Sequence, residues 1–334
     1  MAFNSKGNCD YRSKVLGIMS LLIISLASIS GYAQDDKEEI KVGGETVVKE
    51  TRKKVQTSKA PVKVFVSEKK IQSVKLLDES IVRLKRLIDR MPEDHRDRPQ
   101  TLFNLAEAYW SKSKSYEKKA FSKQDECFAL ADKGEKGRSE SCKTTMGKFL
   151  QESKKLRKSN IELYAEIIRN YPTFKRLDKV YFFLGTSFME TGEKKKGLDV
   201  FKLLIADYPQ SSYLPNVLLA FGDYFFDKDD MESALQAYKR VRKYKKSSVY
   251  AYARYKEGWC YFNLEKKEKA LDTFMESMKI AKKSPKVGSH KSIIKQARKD
   301  IVLAYSHFGA PGKAIPFFKK LAGNDKNEWL GMGE

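Results

Sequence analysis

One arrangement of residues recurs three times between Asp178 and Ala281: a glycine, an aromatic three residues on, a small residue at twelve and an aromatic at sixteen. The first copy is Gly185, Phe188, Gly197 and Phe201. The second is Gly222, Phe225, Ala234 and Tyr238, and the third is Gly258, Tyr261, Ala270 and Phe274. The glycines stand 37 and then 36 residues apart. Around them apolar residues recur three and four apart, which puts one apolar stripe on each of two helices per copy. Gly185, Gly222 and Gly258 remove a side chain where the paired helix must come close. Ala234 and Ala270 do the same from the other side, and the aromatics fill the space around the contact. One such hairpin cannot bury its stripe alone, so the copies are expected to stack into an all-α solenoid. The competing reading is an irregular helical bundle, against which three in-phase copies weigh heavily.

The pattern resembles the tetratricopeptide signature, in which Leu-Gly, Tyr, Ala-x3-Phe and Pro recur every 34 or so residues. Tyr171-Pro172 and Tyr208-Pro209 supply the closing proline. The resemblance implies a right-handed superhelix of helical hairpins, with the first helices lining a concave groove. On that basis the solenoid spans 67–325, with its clear repeats at 178–281. Ser67 to Met91 reads as a leading helix stopped by Pro92, and Leu102–Trp110 as the first helix of an earlier repeat. Its partner helix arrives only near Ile161, so an insertion of polar residues lies at about 112–158. Ala314 and Phe318 restate the second half of the motif, and 326–334 looks like the opening of a further helix.

The N-terminus points to export. Lys6, Arg12 and Lys14 precede the uncharged run Val15–Ile29, and the small residues Gly31 and Ala33 follow. This reads as a signal peptide over 1–33. A retained anchor is the alternative, since Val15–Gln34 could just cross a bilayer. Residues 34–66 hold little large apolar surface apart from Val62–Val66 and are expected to be a disordered linker.

The formal charge is +23, of which 34–334 carries +21. Such a balance fits acidic partners, while export argues against nucleic acid. Cys127 and Cys142 share the insertion, and a disulfide between them closes a short loop; free thiols are the alternative. Cys260 lies in an apolar helix and reads as core.

No catalytic template is present. His95, His290 and His307 are scattered, and neither a metal-ligand spacing nor a phosphate-binding glycine loop occurs. No metal, cofactor or enzymatic activity is therefore expected. The tetratricopeptide resemblance places groove residues beside each glycine and one turn either way. These are Phe182, Thr186, Met189 and Glu190, then Leu219, Asp223, Phe226 and Asp227, then Tyr255, Trp259, Phe262 and Asn263. The Lys and Arg that a carboxylate clamp requires are missing from these places.

Tyr255-x-x-Gly258-Trp-x-Tyr261 and Ser211-Ser212-Tyr213 after Tyr208-Pro209 resemble exported bacterial repeat families. Those families are the outer-membrane assembly lipoprotein with tetratricopeptide repeats, the Tol-Pal coordinator and the repeat proteins of gliding-motility machineries. The chain lacks the lipid-attachment cysteine of the first. The resemblance implies a periplasmic, non-enzymatic scaffold that binds envelope proteins through its groove. A basic module for anionic cell-wall glycan or lipid head groups is the alternative reading. Oligomeric state is not legible.

Overall fold

A computed structural model describes residues 74–283, 287 and 289–322. The expected signal peptide, the expected linker, the start of the expected leading helix and the segment 326–334 lie outside these residues. Eleven α-helices account for most of the described residues, which contain no strand. They are α1 (Val74–Arg90), α2 (Arg98–Asp132), α3 (Lys136–Asn170), α4 (Leu177–Glu190), α5 (Lys194–Asp207), α6 (Leu214–Asp227), α7 (Met231–Arg240), α8 (Tyr250–Asn263), α9 (Lys267–Lys283), α10 (His290–Ser306) and α11 (Pro311–Ala322). None is long and apolar enough to cross a membrane.

From α2 to α9 the helices pair into consecutive antiparallel hairpins that stack on one another, as the repeat pattern requires, and α10 packs on α9 and α8. The pairing rests on the three glycines. A Cβ placed at Gly185 would overlap the ring of Phe201, one at Gly222 the ring of Tyr238, and one at Gly258 the ring of Phe274. Phe201, Tyr238, Phe274, Ala234 and Ala270 are fully buried in these contacts. Gly197 does for α5 what Gly185 does for α4: its Cβ would stand 2.8 Å from the Gly185 carbonyl oxygen.

The turn inside each repeat uses the same geometry at the same place. Seven residues after each glycine comes a left-handed residue: Gly192 (φ 88°), Asp229 (φ 60°) and Glu265 (φ 59°). The next residue but one begins the second helix. Asp230 starts α7 by accepting a hydrogen bond from the Ser233 backbone N–H at 3.0 Å, an N-cap that satisfies one of the unpaired amides of the first turn.

The polar insertion at about 112–158 is helical. α2 and α3 are each 35 residues long, about 50 Å at 1.5 Å per residue, whereas the 14-residue helices α4, α5, α6 and α8 run about 21 Å. The extra turns form an arm, reversed at Gly134 (φ 74°). Its seam is lined by small residues, Ser113, Ser115, Ala120, Ser139 and Ser153, all buried. Near the reversal Cys127 and Cys142 are bonded, with Cα atoms 5.5 Å apart. At the arm's base Arg157 is buried and binds Glu117 at 2.7 Å and also Glu190 of α4. Asn160 donates to the Ala106 carbonyl and accepts from the Ser187 hydroxyl, which ties both arm helices to the next repeat.

Replacing Gly222 by leucine would force α6 and α7 apart, at a cost of about 1–3 kcal/mol or more. Gly147 of α3 has nothing within 4 Å of its would-be Cβ. Thermal melting should therefore show a large loss for Gly222→Leu and none for Gly147→Leu. Equal melting temperatures would contradict the packing described for the repeats.

Candidate functional site

The residues expected to line an open groove are, for the most part, interior. Phe182 is buried under Tyr213, the residue before α6, with stacked ring centroids 4.5 Å apart. The Thr186 hydroxyl donates to the Phe182 carbonyl of its own helix at 2.8 Å. Met189, half-buried, packs its side chain against Gly197 of α5. Leu219 is fully buried, as is the Tyr255 ring, and Phe226, Trp259 and Phe262 are 2–3 % exposed.

The covering groups come from the following hairpin. The Lys256 ammonium of α8 stands 3.5 Å from the centre of the Phe226 ring. The Tyr255 hydroxyl donates to Asp300 of α10 at 2.5 Å. His307, just after α10, meets Phe262 edge-on at 5.2 Å, and Trp259 packs edge-on against both Phe262 and Phe274. Large side chains on adjacent first helices thus fill the space between repeats instead of leaving it open. The aromatic-groove expectation is corrected on this point: Phe182, Leu219, Phe226, Tyr255, Trp259 and Phe262 form the seam between repeats.

That seam carries polar groups, of which the sequence reading named only Asp223, and placed it on a groove wall. Asp223 of α6 accepts from the Tyr238 hydroxyl at 2.6 Å, and burial pushes its carboxyl up to about 6. Burial likewise pushes Asp300 up to about 6, against the opposing hydrogen bond of Tyr255. Lys256 is lowered by its own burial while Asp223 pulls the other way. Glu257, fully buried, holds Arg242 of the preceding turn at 2.5 Å and Arg254 of its own helix. Cys260, beside this cluster, has its thiol pushed up to about 12 by burial, which makes it a poor nucleophile. Tyr255–Asp300 and Arg242–Glu257 bridge successive repeats, so these pairs help to fix the register of stacking.

Two kinds of surface remain accessible. The arm exposes Phe121 and Phe128 of α2 at 54 % and 57 %, and they lie two helical turns apart on one face. The C-terminal ends of α7 and α9 expose lysines and an arginine. No cluster of three metal-ligating side chains occurs among the described residues.

Burial of Trp259 has a direct consequence: Trp259→Ala should cost about 3–5 kcal/mol of stability, as for other large core truncations. Thermal melting unchanged by that substitution would put Trp259 back on an open wall. The raised carboxyls have another. An unfolded Asp ionises near 4, so between about pH 4 and 6 the folded chain binds more protons than the unfolded one. Stability should therefore fall as pH rises through that window. Asp223→Asn combined with Asp300→Asn should flatten the fall in urea melts, and an unaltered slope would contradict this burial.

Two tetratricopeptide-repeat family models match the chain, at residues 180–211 and 251–284, which correspond to the α4–α5 and α8–α9 hairpins. Among solved structures, the MamA protein is 20 % identical, with a TM-score of 0.38 over 61 % of this chain and 90 % of that one. A second MamA structure is 22 % identical, with a TM-score of 0.39 over 51 % and 88 %. The Cut9–Hcn1 hetero-tetramer of the APC/C is 17 % identical, with a TM-score of 0.36 over 79 % and 46 %. No curated protein matches the sequence. Two matched repeat models and the stack of glycine-seamed hairpins identify the chain as a tetratricopeptide-repeat protein.

Proposed function

We propose that this chain is a non-enzymatic scaffold of the periplasm that holds protein partners of a cell-envelope or gliding-motility complex. Stacked tetratricopeptide hairpins serve protein interaction in general, and the finer reading rests on three features. The basic, apolar and small-residue succession over 1–33 reads as an export signal. The Cys127–Cys142 bond fits an oxidising compartment. The repeat sequences themselves resemble exported envelope families.

The observation that carries the reading is the arm. A hairpin whose helices exceed those of its neighbours by about 30 Å, stapled near its reversal, adds little to the stack that it leaves. It holds two phenylalanines out in water, where each exposes more than half of its surface. Exposed aromatics on a pre-ordered helix are the usual anchors of a helix-mediated contact. The partner surface therefore moves from the interior aromatics to the outer face of α2.

Affinity capture from envelope extracts provides the test. Phe121→Asp with Phe128→Asp should lower recovery of the bound proteins by about tenfold or more, the equivalent of one lost anchor. The melting temperature should hold, because neither ring is core. Recovery equal to that of the parent chain would reject the arm as the partner surface.

A further inference from the structure

The second helices of successive hairpins all end on one edge of the stack, where the chain turns into the next first helix. Where α7 and α9 end, that edge is basic, although α5 ends on Asp207 with no cation in its last turn. Between Ser233 and Lys256 there is no Asp or Glu, and 239–246 holds six cations in eight residues. Lys239, Arg240, Arg242, Lys243, Lys245 and Lys246 are all exposed. Arg242 is engaged by Glu257, whereas Arg240, Lys243, Lys245 and Lys246 have no carboxylate within ion-pair distance among the described residues. One repeat further along, Lys279, Lys282 and Lys283 are exposed at the end of α9.

A helix C-terminus favours a cation or two in its last turn. That accounts for Lys239 and Arg240, and for Lys282 and Lys283. It does not account for Lys245 and Lys246, which lie beyond the 3-10 turn Val241–Lys243 that follows α7. Nor does it account for a shallow hollow of about 300 Å³ that Arg240 borders together with residues of α5 and α6. Ile205, Ala206 and Phe221 floor this hollow, and Lys202 and Arg240 stand at its rim. Cations framing an apolar floor on an outer edge match a surface that offers phosphate groups with methylenes just beneath.

We propose that this edge, centred on Lys239–Lys246, docks on an anionic phospholipid surface. The loop lysines and Arg240 meet lipid phosphates, and the hollow receives the apolar region next to a headgroup. The cations fan out from helix ends and do not line a cleft. Among their flanking residues only Tyr244 is a half-buried aromatic, so the stacking platforms expected for single-stranded nucleic acid are missing. This surface is separate from the arm, and it stands or falls independently of the partner reading given above.

Each Lys or Arg held near an anionic bilayer strengthens binding about fivefold. The full chain would be sedimented with vesicles of phosphatidylcholine alone and with vesicles containing phosphatidylglycerol. The readout is the ratio of the two, because the apolar Val15–Ile29 run is common to every sample. The parent chain should favour the anionic vesicles, and added salt should erase the preference. Lys243→Glu, Lys245→Glu and Lys246→Glu together should lower the ratio by about a hundredfold. A control of equal charge change on the arm, Lys133→Glu, Lys136→Glu and Lys143→Glu, should leave it within about threefold. A parent ratio near one would overturn the proposal, as would equal loss in both triple variants. Displacement from anionic vesicles by a neutral soluble glycan at fixed ionic strength would also overturn it, in favour of a glycan surface.

Discussion

Three times in this molecule a glycine on one helix lies flat against an aromatic ring of the next: Gly185 on Phe201, Gly222 on Tyr238, Gly258 on Phe274. Everything else in the stack follows from how close that contact brings the two helices. The ring on the second helix occupies the place where a first-helix side chain would otherwise stand, so neighbouring residues must turn outward toward the adjoining hairpin. Tyr238 then carries its hydroxyl to Asp223, and Phe274 packs against Tyr255 and Trp259. The following hairpin closes over these groups. A contact within each repeat thereby sets the contents of the seam between repeats.

The hairpins were legible in the sequence because this contact leaves a fixed trace, a glycine and an aromatic sixteen residues apart. The remainder left fainter traces for identifiable reasons. Only Gly192 among the three left-handed turn residues is a glycine; Asp229 and Glu265 adopt the same conformation with nothing in their type to announce it. The arm read as a polar insertion because its helices meet through serines and alanines, which give no hydrophobic period. Burial of Phe182 and Phe262 depends on Tyr213 and His307, residues 31 and 45 positions away. No local pattern carries that information. The acid-free stretch around 239–246 was plain in the sequence, yet only the common edge of the second helices gives it a location.

Charge is divided in a way that composition conceals. The buried and half-buried charges come with partners: Arg157 meets Glu117 and Glu190 at the arm's base, Glu257 meets Arg242 and Arg254, and Asp223 and Asp300 sit against tyrosine hydroxyls. Buried carboxylates of this kind contribute register more than net stability, since their desolvation offsets much of the pairing energy. Arg157, Arg254 and Lys256 are buried with these partners, while other cations stand outside at helix ends and loops. The fold thus separates an inert, interlocked interior from two outward features, an aromatic arm and a basic edge.

The central claim is that the repeat aromatics are interior while the arm phenylalanines Phe121 and Phe128 are exposed. Hydroxyl-radical footprinting of the purified chain, read by mass spectrometry residue by residue, tests it without any partner present. Phe182, Phe226, Trp259 and Phe262 should be modified far less than Phe121 and Phe128, despite the high intrinsic reactivity of tryptophan. Labelling of Trp259 and Phe262 at or above the level of the arm phenylalanines would contradict the account and restore an open aromatic groove.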